Sequence, residues 1–122
     1  MPKKILIIED DDLLRGLITQ KLSREDYKIV QAIDGEKGLR AVADEKPDLV
    51  LLDILLPGMN GFEVLEKIKA DPTIVHTPVI ILSNLWQKED IDKGLALGAV
   101  DYLVKVNFAS SDIIEKIKNI LK

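Results

Sequence analysis

The stretch Leu49-Val50-Leu51-Leu52-Asp53-Ile54-Leu55-Leu56-Pro57-Gly58-Met59-Asn60-Gly61 decides how this chain folds. Its first four residues are apolar throughout, as strands that are buried on both faces of a sheet usually are. Its last five form a turn cluster of proline, glycine and asparagine, after which a helical pattern begins. A buried strand that leads through a turn into a helix is one unit of a parallel α/β fold.

The same alternation continues on both sides of this stretch. Apolar runs predict strands at residues 4–8, 27–32, 49–52, 78–82 and 100–104, and a helix-spaced pattern follows each of them. Five strands alternating with five helices predict a doubly wound, five-stranded parallel sheet with helices on both faces. The apolar residues expected to face the core from the helices are Leu13, Leu14, Leu17, Ile18 and Leu22; Leu39, Val42 and Ala43; Phe62, Val64, Leu65 and Ile68; Ile91 and Leu95; and Ile113, Ile117, Ile120 and Leu121.

Composition and charge limit the classes of function. The chain has 122 residues, of which 47% are hydrophobic, and we therefore expect a single domain over residues 1–122. It has no cysteine and no apolar run of membrane-spanning length, so we expect a cytoplasmic protein without membrane insertion. The formal net charge of −4 argues against direct binding to the nucleic-acid backbone.

Polar residues stand where the predicted strands end. Glu9 and Asp10 follow the first strand, Asp53 the third, Ser83 the fourth and Lys105 the fifth. An open parallel sheet binds its ligand at the carboxyl ends of its strands, so we expect these side chains to share one crevice. Two carboxylates about 4 Å apart repel by roughly 4 kcal/mol at an effective dielectric constant near 20. A lysine offsets part of this repulsion, and a hard divalent cation such as Mg²⁺ would offset the rest.

These residues carry a resemblance to a known family. The segments Ile7-Ile8-Glu9-Asp10-Asp11, Leu51–Gly61 and Gly98-Ala99-Val100-Asp101-Tyr102-Leu103-Val104-Lys105 resemble the CheY-like receiver domains of two-component response regulators. The resemblance covers essentially the whole chain. It implies the flavodoxin-like strand order 2-1-3-4-5 and a role in phosphorelay signalling, with a sensor histidine kinase or a histidine phosphotransfer protein as partner. The downstream target stays unknown.

The resemblance also implies roles for individual residues. Asp53 takes the place of the aspartate that accepts the phosphoryl group. Glu9 and Asp10 correspond to the acidic pair that helps to bind Mg²⁺, to which Asp53 would add a side-chain oxygen and Leu55 its backbone carbonyl. Such a domain is not a multi-turnover enzyme, since it catalyses only its own phosphorylation and dephosphorylation.

Three further positions complete the implied site. Ser83 takes the place of the hydroxyl residue that hydrogen-bonds the phosphoryl group, and Lys105 that of the lysine which pairs with another phosphoryl oxygen. Tyr102 occupies the aromatic switch position, where the ring moves inward once the hydroxyl residue is drawn toward the phosphoryl group. The switched surface would be formed by the fourth helix, the fifth strand and the fifth helix.

The chain departs from the family pattern around the site. The family lysine is usually followed by a proline, often through a cis bond, but here Val106 follows, and we predict a trans Lys105–Val106 bond. Asn84 stands where receivers usually have a small residue. Leu55 and Leu85 flank the phosphoryl position, and because neither side chain can orient a water molecule, we expect slow self-dephosphorylation.

Other functions compete with phosphorylation-controlled signalling. The changes at Asn84 and Val106 keep open a receiver-like module that binds its partner without being phosphorylated. An enzyme with an aspartyl-phosphate intermediate would need a second acid/base carboxylate near Asp53, which Ile54 and Leu55 do not provide. A flavin-binding protein would need a hydroxyl- and glycine-rich phosphate loop after the first strand, where this chain has four acidic residues.

Overall fold

A computed structural model describes residues 2–105 and 110–122 of the chain. Strands and helices alternate along it, as the sequence predicts. They are β1 (Lys4–Ile8), α1 (Asp12–Ser23), β2 (Lys28–Ala32), α2 (Gly35–Glu45), β3 (Leu49–Leu52), α3 (Gly61–Ala70), β4 (Val79–Ser83), α4 (Lys88–Ala96), β5 (Asp101–Val104) and α5 (Ser110–Ile120). The predicted strand bounds differ from these by at most one residue at either end.

The strands form one parallel sheet in the order β2-β1-β3-β4-β5, which confirms the predicted fold class and strand order. The register aligns the ends of the strands. Ile8 of β1 pairs with Leu52 of β3, so the residues that follow each of them lie side by side. Ser83 of β4 pairs with Val104 of β5 in the same way. The parallel register therefore places every strand-end residue of the predicted site at one edge.

The sheet separates two apolar cores. Ile5 and Ile7 of β1 face one side, and Leu6 and Ile8 face the other, because successive side chains of a strand point to opposite faces. All four are at most 1% exposed. The helices α1 and α5 cover the first side with Ile18, Leu22, Ile113 and Ile117, and α2, α3 and α4 cover the second with Val42, Phe62, Val64, Leu65, Ile68 and Ile91.

Polar residues at the helix N-termini start three of the helices. Asp11 is the N-cap of α1, because its side chain accepts a hydrogen bond from the backbone N–H of Leu14 at 3.1 Å. Asp34 caps α2 by accepting a bond from the N–H of Lys37 at 2.8 Å, and Asn60 caps α3 by accepting one from the N–H of Glu63 at 3.1 Å. Such a cap contributes about 1 kcal/mol, and each one fixes where the preceding loop ends.

The predicted inward faces of α1, α2 and α4 are partly wrong. Leu13 is 75% exposed and Leu17 is 46% exposed, and Leu17 lines a groove of about 250 Å³ between α1 and α5. Both leucines lie one 100° step around the helix from the residues that pack against the sheet. In α4, Leu95 is 44% exposed because the neighbouring Gly94 faces the core instead. Ala43 of α2 is also exposed.

Two further expectations concern membrane insertion and the peptide bond after Lys105. No helix within residues 2–105 and 110–122 has the length and apolar character that a membrane crossing requires. The predicted trans bond between Lys105 and Val106 lies outside the described residues.

Candidate functional site

The sequence-predicted site residues meet at the carboxyl edge of the sheet, at the boundary between β1 and β3. The chain leaves this edge in opposite directions from these two strands, toward β2 on one side and toward β4 on the other. In doubly wound sheets, ligands bind at such a switch point. Glu9, Asp53 and Ser83 are the buried polar residues of the described chain, with exposures of 2%, 5% and 0%.

Asp53 is held by both oxygens of its carboxylate. Oδ1 accepts a hydrogen bond from the backbone N–H of Ile54 at 2.7 Å, and Oδ2 accepts one from Lys105 Nζ at 3.0 Å. Its own N–H donates to the carbonyl of Ile8, which ties the residue to β1. Gly61 permits this arrangement, because a Cβ there would lie 2.2 Å from the Asp53 carbonyl oxygen. Asp53 thus presents a fixed carboxylate at the centre of the crevice.

Lys105 bridges two carboxylates that come from different strands. Its Nζ lies 3.0 Å from Asp53 Oδ2 and 2.7 Å from Glu9 Oε1, and 15% of its side chain is exposed. Burial by itself would lower the pKa of Lys105, but the carboxylates of Glu9 and Asp53 outweigh it and raise the pKa above its ordinary value. The lysine therefore carries a positive charge beside Asp53.

The carboxyl group of Glu9 has a raised pKa. Burial raises the pKa of Glu9 from 4.5 to about 7, with a further upward contribution from the charge of Asp53. The ammonium of Lys105 and the N–H of Asp11 act in the opposite direction without cancelling this rise. Its Oε1 is buried and lies 2.7 Å from Lys105 Nζ, while its Oε2 accepts a hydrogen bond from the N–H of Asp11 at 3.1 Å.

The acidic cluster, which consists of Glu9, Asp10 and Asp53, has the composition of a metal site. One carboxylate oxygen from each residue lies within 4.8 Å of the others. Oxygen ligands of this charge are those that Mg²⁺ prefers, and the ammonium of Lys105, which pairs with Glu9 and Asp53, does not balance three carboxyl groups. The cluster can therefore hold a hard divalent cation. The predicted contribution of the Leu55 backbone carbonyl stays a prediction.

Ser83 and Tyr102 both bind the backbone of Leu85, in the loop between β4 and α4. The N–H of Leu85 donates to Ser83 Oγ at 3.2 Å, and the hydroxyl of Tyr102 donates to the Leu85 carbonyl at 2.7 Å. The ring of Tyr102 is 8% exposed and lies against Gly94, where a Cβ would come within 3.0 Å of it. Its burial raises the pKa of the phenol. The ring of Tyr102 is therefore buried and fixed by this hydrogen bond, and its predicted role in switching stays a prediction.

Two contributions to this site were missed by the sequence reasoning. The carbonyl and N–H of Leu85 join the hydroxyl and aromatic residues, and Gly94 leaves room for the ring. Neither leaves a chemical signature in the sequence, because one is a main-chain group and the other is an absent side chain. A glycine inside a helical pattern was the available signal, since such a glycine often has a packing reason.

Comparison with known proteins agrees with the fold described above. Residues 5–118 match the response regulator receiver domain family. This chain belongs to that family. The fold described above is therefore that of a receiver domain of two-component response regulators, which is consistent with phosphorelay signalling.

Individual relatives of this receiver domain include regulators with additional chain length. The response regulator PleD of Caulobacter vibrioides is 40% identical over 105 residues, which are 86% of this chain and 23% of that protein. The alkaline phosphatase synthesis transcriptional regulatory protein PhoP of Bacillus subtilis is 36% identical over 122 residues, which are 100% of this chain and 50% of that protein. The chain thus spans half or less of the length of these two curated relatives.

A solved structure agrees with the receiver fold over nearly the full length of both chains. The BeF₃-activated N-terminal receiver domain of RstA from Klebsiella pneumoniae superimposes with a TM-score of 0.91 at 30% identity. The match covers 98% of this chain and 99% of that one.

Proposed function

We propose that this single receiver domain, over residues 1–122, accepts a phosphoryl group on Asp53 and switches a protein-binding surface in response. The phosphoryl donor would be a phosphohistidine of a sensor histidine kinase or of a histidine phosphotransfer protein. The observation that carries this proposal is the placement of the Asp53 carboxylate 3.0 Å from Lys105 Nζ and inside the acidic cluster. The domain would work in the cytoplasm, without inserting into a membrane.

The transfer needs a nucleophile and charges that stabilise the moving phosphoryl group. A carboxylate oxygen of Asp53 forms the new P–O bond while the P–N bond to the donor histidine breaks, and the released imidazole nitrogen keeps the electron pair. The product is an acyl phosphate. Bound Mg²⁺, held by Glu9, Asp10 and Asp53 with the carbonyl of Leu55, would supply positive charge beside the phosphoryl oxygens.

Lys105 and Ser83 serve the same phosphoryl group from the other side. Lys105 exchanges its ion pair with Asp53 for one with a phosphoryl oxygen, since the ester oxygen of the product has lost its charge. Ser83 is buried, and because its Oγ is the acceptor in the bond from Leu85, that bond does not use the hydroxyl proton. These two donors are aimed at charge that appears only on transfer.

The switch would act through Leu85. A Ser83 hydroxyl that turns toward the phosphoryl group changes the bond from the Leu85 N–H, while Tyr102 is bonded to the carbonyl of the same residue. The phosphoryl group thereby favours one arrangement of the loop between β4 and α4, and with it the surface of α4, β5 and α5. The downstream protein that reads this surface is unidentified.

The domain itself would neither bind nucleic acid nor turn over a substrate. Its net charge of −4 is unfavourable for contacts with phosphate backbones, and the transcriptional regulation named for PhoP belongs to that protein as a whole. The reaction would be confined to Asp53, so each domain carries at most one phosphoryl group until the acyl phosphate is hydrolysed.

The deciding test is the intact mass after incubation with acetyl phosphate and Mg²⁺. The wild-type protein should gain one phosphoryl group, chelation of Mg²⁺ should prevent the gain, and Asp53→Asn should show none. Asp92→Asn removes an exposed carboxylate of α4 and serves as the matched control that keeps the gain. If the wild type gains no mass under conditions that preserve acyl phosphates, the phosphorylation-independent interaction module replaces this proposal.

A further inference from the structure

The guanidinium group of Arg15 in α1 binds three separate parts of the chain. Nη1 donates to the carbonyl oxygen of Glu9 at 2.8 Å, Nε to Gln31 Oε1 at 3.0 Å, and Nη2 to Asp12 Oδ1 at 2.5 Å. The side chain is 13% exposed, whereas that of Arg40, which pairs with a glutamate on α2, is 65% exposed. A planar guanidinium that donates in three directions is held in one orientation.

The bond to Glu9 fixes the direction in which the chain enters Asp10. The Glu9 carbonyl and the Asp10 N–H belong to one peptide unit, which is planar. A donor that holds this carbonyl therefore fixes the plane from which the Cα and the side chain of Asp10 extend. On the preceding peptide, the N–H of Glu9 donates to the carbonyl of Ala32 at 3.1 Å. The peptide before Glu9 is thus held by Ala32 of β2, and the peptide between Glu9 and Asp10 is held by Arg15.

Asp10 is the member of the acidic cluster that needs this support. Glu9 and Asp53 are buried and are bonded to Lys105 and to neighbouring N–H groups, whereas Asp10 is exposed. The neighbouring carboxylate of Asp53 repels its charge, and in solvent its side chain is free to turn away. Its backbone orientation is then what keeps its carboxylate near the other two.

We propose that Arg15 is a positioning residue that holds Asp10 in place for a divalent cation. This inference rests on the proposed function, because it assumes that the acidic cluster binds Mg²⁺. A lysine at position 15 would keep the charge but would present a single ammonium group, which cannot donate along the three directions of the guanidinium fork. The arginine geometry is therefore required.

The test is the Mg²⁺ dissociation constant, measured from amide chemical shifts in an NMR titration with MgCl₂. Arg15→Lys should weaken Mg²⁺ binding about tenfold, the size expected when a partner of a metal ligand is lost. Arg40→Lys is the matched control and should leave the constant unchanged, since that arginine is exposed on α2. An Arg15→Lys constant within twofold of the wild-type value overturns the proposal.

A second background separates positioning from a general loss of structure. If Arg15 acts through Asp10, Arg15→Lys should weaken binding by less than twofold when Asp10→Asn is already present. A defect that spreads through the fold would weaken binding by the same factor in both backgrounds, and that result would overturn the proposal. If Arg15→Lys fails to fold, Gln31→Ala can be used instead, since it removes one of the three hydrogen-bond partners of Arg15. Gln31→Ala should weaken Mg²⁺ binding about threefold in protein that keeps Asp10, and should have no effect in protein that carries Asp10→Asn. No effect of Gln31→Ala would then refute the inference.

The wild-type titration separates failure of this inference from failure of the proposed function. If wild-type protein binds Mg²⁺ and is phosphorylated on Asp53 while Arg15→Lys behaves identically, only the inference fails. If the wild type neither binds Mg²⁺ nor gains a phosphoryl group, both fail together.

Discussion

The two halves of the site share one edge of the sheet but are stabilised in different ways. At β1 and β3, three carboxyl groups face the ammonium of Lys105, which pairs with two of them. At β4 and β5, Ser83 and Tyr102 are neutral, and each has a hydrogen bond to the backbone of Leu85. The first half has an excess of negative charge, whereas the second has its polar groups satisfied.

This difference matches the two proposed roles, which are phosphoryl transfer in the first half and the conformational response in the second. An excess of carboxylates costs stability and creates a site that a cation, and then a phosphoryl group, can complete. Neutral hydrogen bonds are worth about 1 kcal/mol each, so the Leu85 bonds can exchange without unfolding the domain. Substitutions in the first half should therefore change phosphorylation and stability strongly, and substitutions in the second should change them weakly.

The largest effect is expected for Lys105→Met. Removal of the ammonium deletes a donor aimed at the transferred group, and we expect the rate of phosphorylation by acetyl phosphate to fall about 100-fold. The rate is measured by intact mass over time at saturating Mg²⁺. Lys116→Met is the control, because that lysine forms an exposed ion pair with Asp101 away from the acidic cluster. Equal rates for Lys105→Met and wild type would contradict the assigned role.

Glu9→Gln should change how stability depends on pH. The pKa of Glu9 is raised from 4.5 to about 7, so folded metal-free protein holds this proton where the unfolded chain has released it. As the pH rises from 4.5 to 7, this group should lower the free energy of unfolding by about 3 kcal/mol in total. Below 4.5 the contribution is fully present, and above 7 it is lost.

Urea denaturation at pH 5 and pH 8 in the presence of EDTA measures this dependence. Glu9→Gln should lack the decrease that the wild type shows, while Glu66→Gln, at an exposed position of α3, should keep it. The prediction is wrong if the Glu9→Gln and wild-type proteins lose the same free energy between the two pH values.

A smaller effect is expected where the two halves meet. Leu55 lies two residues after Asp53 and is 58% exposed, and Leu85 lies two residues after Ser83. The double substitution Leu55→Asn with Leu85→Glu introduces groups that can orient a water molecule, and we expect self-dephosphorylation to accelerate about tenfold or more. Loss of the phosphoryl mass over time measures this rate. An unchanged rate would show that the two leucines do not limit hydrolysis.

The smallest effect is expected for Tyr102→Phe. The substitution removes the hydroxyl that donates to the Leu85 carbonyl, so the free energy of unfolding should fall by about 1 kcal/mol. Phosphorylation by acetyl phosphate should keep its wild-type rate, because the bond that is removed is to the Leu85 carbonyl and not to Asp53 or Lys105. Thermal denaturation and the mass assay measure the two quantities. A large loss of phosphorylation would mean that the two halves are not separable.

The sequence predicted most of the fold and the positions of the site residues for one physical reason. Apolar strands end abruptly at Glu9, Asp53 and Lys105, and parallel pairing brings such ends together. The inward face of α1 could not be predicted from spacing alone, because a 100° rotation exchanges the Leu13 side for the Leu14 side. The bonds to the Leu85 backbone were not predictable either, because main-chain groups are the same at every position.

Gly61 has a consequence for maps of mutational tolerance. Its N–H donates to the Ile54 carbonyl at 2.8 Å, and any side chain would collide with the Asp53 carbonyl oxygen. In a saturation screen for signalling, position 61 should therefore be as intolerant as position 53, although it takes no part in the reaction. The two positions would separate in a screen for protein abundance, where Asp53 substitutions should survive and bulky residues at position 61 should not.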